Sequence, residues 1–274
     1  MIYDIIDLLN EIPSKNDTFI RINHHSLHMH LYEVLSTLKE IAPPDLAEDF
    51  DKVKIGLNLD LDNEINKIAV ALDATEYVIE RAADIDADLL VVHHPFIFHS
   101  INSISSSFAA LLEKALANRI SIYSMHTNFD KASGGINDVL AHRLGLKDVE
   151  ELDVGRIGFV DECAADVFVK HISKSLNTTV QYVGKKKTVR KVMVFGGSGF
   201  KSEYLQLARK MRVDAYVSAE LKHNIIREFQ DMLLVDATHY ATENPGMEEL
   251  TTILQDKTGI DTEFIDHDPL IKML

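Results

Sequence analysis

The chain has 274 residues, of which 46% are hydrophobic and 26% charged, a balance that sustains a buried core and argues against global disorder. Its 28 cations against 43 anions leave a formal charge of −15, which repels phosphate backbones and makes nucleic acid a disfavoured partner. A single cysteine, Cys163, excludes an internal disulfide and a cysteine-rich zinc module, and reads as a small buried hydrophobe.

The opening MIYDIIDLLNEIPSK carries Asp4, Asp7 and Glu11 and no early cation, unlike a secretory signal. No apolar run reaches the roughly eighteen residues of a membrane helix, so the expected setting is cytoplasmic. Residues 1–30 read as an N-terminal extension, with Ile2, Ile5, Ile6, Leu8 and Leu9 suited to a short amphipathic helix. His24, His25, His28 and His30 follow as a tract whose spacing matches no defined metal site, and Met29 is an alternative start.

From His30 the pattern is regular. HLYEVLSTLKEIA predicts a helix ended by Pro43 and Pro44. KIAVALD predicts a strand, and TEYVIERAADI a helix with Thr75 as N-cap. DLLVVHH, SSFAALLEKALANR, ISIYSMH and GINDVLAHRLG continue the alternation, the last closed by Gly145. Between Glu150 and Lys191 the reading is harder: a helix near DVFVKHISKSLN and a strand near TVQYV. The cations Lys185, Lys186, Lys187, Arg190 and Lys191 cluster there, as a solvated turn or an anion site. RKVMVFGG, SEYLQLARKM, VDAYVSA, LKHNIIREFQ, DMLLVDA and PGMEELTTILQDK then alternate again as strand and helix, and TEFI closes the chain as a strand.

This order predicts an α/β protein of two lobes with mainly parallel sheets and a metal site in the cleft between them. The first lobe spans 31–150, with 255–274 as a candidate completion; the second spans 151–254, with a boundary near Glu151–Ile157.

Sites in such sheets lie beyond the carboxyl ends of the strands. His93 and His94 end one strand. Neighbouring strand residues point to opposite faces, so the pair shares a site only where the backbone turns, at Pro95. Alone, the pair reads equally well as one core and one exposed histidine. His126 ends the next strand and Asp130 follows four residues later, a hard oxygen ligand or a helix cap. His239 and Glu243 stand four apart after another apolar strand, on one face of a helical turn or in a compact turn. Alternatively Glu243 is a surface charge. Together the segments offer nitrogen and carboxylate without thiolate, a set suited to zinc, manganese, iron or nickel. Five ligands, His93, His94, Asp130, His239 and Glu243, exceed a closed tetrahedral site and suit two ions roughly 3.5–4 Å apart, with Glu243 as bridge. His126 is the candidate proton-transfer residue. Histidine ligands must be neutral, so metal affinity is expected to fall below about pH 6. His142, His171 and His223 read as packing or surface residues, and His99 as a weaker candidate for the cleft. GGSG at Gly196–Gly199 reads as a tight turn or an anion-binding loop.

The pieces APPDLAEDFDKVKIGL, KIAVALDAT, DLLVVHHPFIF, SMHTNFDKASGGINDVLA, VMVFGGSG, DAYVSAELKHN and DATHYATENPG resemble the NIF-three-like family, also called the GTP cyclohydrolase I type 2 family. The resemblance covers about residues 31 to 274. It implies two α/β lobes in the compact form without an inserted domain. It also implies a dinuclear metal site carrying over His93, His94, Asp130, His239 and Glu243, with His126 beside them, and a toroidal homohexamer. The named activity it implies is GTP ring opening with formate release, acting on a nucleotide or other small molecule. A non-catalytic metal-handling protein and a dinuclear phosphoesterase or amidohydrolase are the alternatives, since one ligand set serves all three. The chain departs from the family in lacking a tryptophan and an Asp-Asn pair before its early Gly-Leu, and in placing Thr238 where glycine often precedes the late histidine.

Overall fold

Strands that are apolar on both faces need cover on both faces, and this requirement organises the chain. In the computed structural model, residues 29–153 and 155–269 are described. The amphipathic-helix expectation and His24, His25 and His28 lie outside them. The chain begins with β1 (Met29–His30), α1 (Leu31–Ile41), β2 (Gly56–Leu59), β3 (Glu64–Ile65), β4 (Lys67–Ala71), α2 (Glu76–Asp84), β5 (Leu89–Val92) and α3 (Ser106–Ala117). β6 (Ser121–Ser124), α4 (Thr127–Lys131), α5 (Ile136–Arg143), β7 (Lys147–Glu151), β8 (Arg156–Ala164), α6 (Ala165–Ser175) and β9 (Gln181–Val183) follow. It ends with β10 (Thr188–Val194), α7 (Ser202–Lys210), β11 (Ala215–Ser218), α8 (His223–Glu228), β12 (Leu233–Asp236), α9 (His239–Thr258) and β13 (Asp261–Phe264).

Two sheets form the lobes. The first is five-stranded, ordered β13-β4-β5-β6-β2, parallel except for β2. The second is six-stranded, ordered β7-β8-β10-β11-β12-β9, with a parallel centre of β10, β11 and β12 and antiparallel strands on both sides. The segment that is hard to read from sequence supplies this antiparallel part. β7 is exposed throughout and β8 is buried only at its start, so neither shows a continuous apolar run. His30 caps α1 through a capping box with Glu33. Among the described residues no helix is long and apolar enough to cross a membrane.

The last helix differs from expectation. A helix starting at Pro245 is natural because proline suits a first turn. Instead α9 begins at His239 and runs through Pro245, with the Thr238 hydroxyl accepting from Ala241 N at its start. The six added residues place His239 and Glu243 on one helical face.

α9 ties the lobes together. Met247, Leu250 and Leu254 belong to the first lobe's core, and Ala241 to the second's. α5 does the same with Ile136 on one side and Leu140 on the other. The two helices touch where Gly246 meets Ile136: a Cβ on Gly246 would lie 2.6 Å from Ile136 Cδ1 and 3.0 Å from its Cα. Gly246→Ala is therefore expected to lower stability by about 1–2 kcal/mol, although alanine gains up to about 1 kcal/mol in helix propensity. A urea unfolding midpoint that rises in this variant would rule out the close approach.

Candidate metal centre

The parallel strands β5 and β6 deliver their carboxyl ends to the same edge, and α9 brings its amino end to it from the other lobe. After Val92 the amides of His93 and His94 both donate to Leu72 O, at 3.1 Å each. This turn lets two adjacent histidines face one site. His93 is fully buried, and His94 is half-buried. Asp130 lies on α4, buried, one short loop after β6. His239 and Glu243 sit one turn apart at the start of α9.

His93, His94 and His239 converge on Glu243, and Asp130 faces His93. Its Oε2 lies 3.1 Å from His94 Nε2 and 3.0 Å from His239 Nε2, while Oε1 lies 3.7 Å from His93 Nε2. His93 Nε2 is 3.5 Å from Asp130 Oδ1, and the Nε2 atoms of His94 and His239 are 3.3 Å apart. Two sets that could hold a metal ion result, His94–His239–Glu243 and His93–Asp130–Glu243, sharing the one carboxylate. Ligands about 2.0–2.2 Å from a tetrahedral ion lie roughly 3.3–3.6 Å from one another. The observed 3.0–3.7 Å fits that spacing.

The far side of each imidazole is anchored. His93 Nδ1 meets Met125 O at 2.8 Å, His94 Nδ1 meets Asp73 Oδ1 at 2.7 Å, and His239 Nδ1 meets Glu220 Oε1 at 2.7 Å. Each Nδ1–H faces an acceptor, so Nε2 is left to take a proton or an ion. His93 Nε2 and Asp130 Oδ1 are buried without a hydrogen-bond partner, and Glu243 Oε2 faces the Nε2 atoms of His94 and His239. A cation would answer all three atoms.

His126 is the fourth imidazole. It completes a third cluster with His93 and His94, and its Nδ1 meets Asp51 Oδ1 at 2.9 Å. Asp51 is fully buried, and its Oδ2 accepts from Thr127 N at 3.1 Å and Thr127 Oγ1 at 2.7 Å.

The backbone is fitted closely around Glu243. Gly197 has φ of +63°, and a Cβ there would meet Glu243 Oε1 at 2.0 Å and His239 Nε2 at 3.0 Å. Three amides of this loop are engaged within the protein and are not free for an anion. Gly196 N donates to Asn137 Oδ1, Gly197 N to Thr242 Oγ1 and Gly199 N to Ser218 Oγ. Thr238, with φ 66° and ψ 149°, holds a conformation suited to glycine. Strain of this kind costs about 1–3 kcal/mol. Its amide donates to Asp236 Oδ1 at 3.0 Å and its carbonyl accepts from Thr242 Oγ1 at 3.0 Å, contacts that hold it in place.

Burial pushes His93 down to about 4. It also drives the Asp130 carboxyl well up, helped by the charge of Glu243. Burial works against ionised Glu243 too, but His93, His239 and His94 outweigh it and hold its carboxyl well below the usual range. For His94 burial is outweighed by Asp73 and Glu243, which lift it to about 10. His239 is likewise lifted to about 9, by Glu243 and Glu220 against burial. In the metal-free form these two imidazoles therefore carry protons that answer Glu243.

The structure brings His93, His94, Asp130, His239, Glu243 and His126 together. His99 is exposed, its ring against Phe98 at 5.0 Å and outside the cavity lining. His142 and His223 are exposed, and His171 bonds Leu144 O at 3.1 Å. Cys163 is half-buried rather than buried. Lys186 of the basic cluster pairs with Asp214 at 2.7 Å, and Lys191 bonds Met211 O. Asp51, Asp73 and Glu220 are the partners that sequence reasoning missed. Asp73 carries a legible signal, a carboxylate ending an apolar strand beside the double-histidine strand; Asp51 resembles any surface acid.

The family model described as Duf34/NIF3 (NGG1p interacting factor 3) matches residues 29–269. A GTP cyclohydrolase 1 type 2 homolog of Methanocaldococcus jannaschii is 30% identical over 250 residues, covering 86% of this chain and 98% of that protein. One from Clostridium perfringens is 28% identical over 254 residues, covering 86% and 95%. The crystal structure of a Bacillus cereus protein related to NIF3 superposes with a TM-score of 0.82 at 22% identity, covering 89% of this chain and 99% of that one, a likeness of fold.

Two outcomes are expected. Glu243→Ala should lower metal content at both positions by elemental analysis, whereas His223→Ala, remote from the cluster, should leave it unchanged. Two ions retained at wild-type affinity in folded Glu243→Ala would remove the bridge. The second concerns pH. Protons on His94 and His239 stabilise the metal-free fold fully below about pH 6.5, and that contribution is lost as pH rises through about 9 and about 10. An ion must displace them, so affinity should keep rising from pH 7 towards pH 9, above the window expected from unperturbed histidines. Calorimetry in buffers of different ionisation enthalpy should show proton release on metal uptake at pH 7. No release would contradict the account.

Proposed function

The chain belongs to the Duf34/NIF3 family, and from that membership and the donors at the cleft we propose a hydrolase dependent on two divalent metal ions. The observation that carries this reading is the division of Glu243 between two donor sets whose imidazoles are anchored at Nδ1. One ion would be held by His94, His239 and Glu243, the other by His93, Asp130 and Glu243. Zinc, manganese, iron and nickel suit these donors. When bound, such ions polarise an electrophile and lower the pKa of water.

The remaining work falls to the chain. The cleft of about 270 Å³ opens onto His94, His126, Asp130, His239 and Glu243 and is walled by both lobes. His126, oriented by Asp51, presents Nε2 for proton transfer to or from a bound molecule. Asp73, Glu220 and Met125 O fix the ligand imidazoles, so little reorganisation is needed on binding. The named activity to test first is GTP cyclohydrolase, hydrolysis at C8 of guanine with loss of formate, because relatives bear that name. Phosphoester or amide hydrolysis would use the same donors. In keeping with the family resemblance, we propose a cytoplasmic homohexamer.

A second reading, metal handling without turnover, has its own support. His94 and His239 side chains are 26% and 34% exposed, whereas His93 is 0% exposed. A second opening beside Asp73, Thr75 and His267 reaches the exposed pair. An ion there could be exchanged while its neighbour stayed buried.

Metal-loaded protein should release formate from GTP, and chelator-stripped protein should not, with activity returning on reloading. His126→Ala should retain metal and lose about 10²–10⁴-fold in rate. Absence of turnover across a nucleotide, phosphoester and amide panel, with reversible metal exchange, would favour the handling reading.

A further inference from the structure

The cleft carries more information than its metal donors. Its walls are aromatic: Phe50 and Phe98 from the first lobe, Phe195 and Tyr204 from the second. Phe98 meets the His126 ring edge-on, with centroids 5.9 Å apart, so this wall begins at the reactive centre. Phe50 and Phe98 remain 52% and 39% exposed, a contiguous apolar surface that a ring would cover. Lys54 Nζ sits 3.8 Å from the Phe98 centroid and 4.8 Å from that of Phe50, bracing the two. Opposite, Phe195 and Tyr204 stack at 5.1 Å. A cavity of about 270 Å³ between these walls has room for a planar ring system.

The charges around these walls are uneven. Lys131 is held between Glu48 and Asp153 and is neutralised. Lys201 lines the same cleft, and among the described residues it pairs with no carboxylate; its Nζ lies 5.2 Å over the Tyr204 ring. In a chain of formal charge −15, an uncompensated cation in a cleft marks a place for an anion. The neighbouring loop amides of Gly196, Gly197 and Gly199 are occupied, which withdraws three donors from a polyphosphate. With the reacting ring at the metal donors, a triphosphate would bring several charges into a cleft that Glu48 lines together with Lys201.

Resting on the hydrolase reading above, we infer that the cleft takes a compact planar ring compound bearing a single anionic group, and that Lys201 is the residue that reads that group. A carboxylate and a phosphate monoester share this chemistry. The further phosphates of a triphosphate add nothing to this recognition.

The test is a calorimetric titration of metal-loaded protein with guanosine, guanosine monophosphate, guanosine triphosphate and nicotinate at fixed salt. The monophosphate should bind about tenfold or more tighter than guanosine, one charge-assisted hydrogen bond's worth, with no further tenfold gain for the triphosphate. Lys201→Ala should abolish that advantage with metal content unchanged, and Lys201→Arg should retain it. Phe98→Ala should weaken guanosine and its monophosphate alike. Whichever of monophosphate and nicotinate loses affinity in Lys201→Ala identifies the anionic group. The inference is overturned if the triphosphate binds more than about tenfold tighter than the monophosphate, if neither anion depends on Lys201, or if none of the four binds. Lys201-dependent binding without any turnover would leave this inference standing and remove the hydrolase reading. Turnover with the triphosphate preferred would do the reverse.

Discussion

A buried carboxylate is costly unless its charge is answered, and Glu243 is buried at the junction of two lobes. Three imidazoles surround it, one carboxyl shares its neighbourhood, and a glycine gives it room. None of these groups is stable alone in that setting. His93 resists a proton, Asp130 resists ionisation, and Glu243 stays ionised because the histidines face it. Without an ion the cluster balances itself with protons on His94 and His239. With divalent ions the same atoms would become ligands. The centre is thus poised between two kinds of cation, and its strength as a metal site depends on how readily protons leave.

The fold serves this constraint. Parallel β5 and β6 align two strand ends, and α9 delivers Glu243 and His239 from the far lobe. Because α9 then continues into the first lobe's core, the cluster cannot open without breaking that packing. Fully buried Arg156 adds a tie: it binds Asp138 and the carbonyls of Lys131 and Ala132, fixing the segment that follows Asp130. The acceptors behind the imidazoles come from different places, Met125, Asp73 and Glu220. Each ligand is thereby oriented by a separate element, which favours rigidity over adaptability.

Much of this was legible in sequence, because its signals were local. LLVVHH announces a buried strand ending in donors, and the four-residue spacing of His239 and Glu243 announces a shared face. Asp130 was ambiguous between cap and ligand; it lies buried on α4 with Oδ1 3.5 Å from His93 Nε2. The long helix was misplaced because Pro245 imitates a start. The antiparallel strands were missed because β7, an exposed edge, carries no apolar run and β8 is buried only at its start. Asp51 and Glu220 were invisible because their roles depend on contacts 75 and 19 residues away. The occupied amides at Gly196 and Gly197 are backbone facts that no composition rule conveys, whereas Thr238, which stands where the resemblance expects glycine, does hold a glycine-like conformation.

The central claim is that Glu243 bridges two divalent ions. Anomalous diffraction from crystals of the metal-loaded protein, collected on both sides of the metal's absorption edge, tests it most directly. The account predicts two peaks, one beside each Glu243 oxygen, the first between His94 and His239 and the second between His93 and Asp130. A single peak, or two peaks that leave Glu243 uncoordinated, would contradict it.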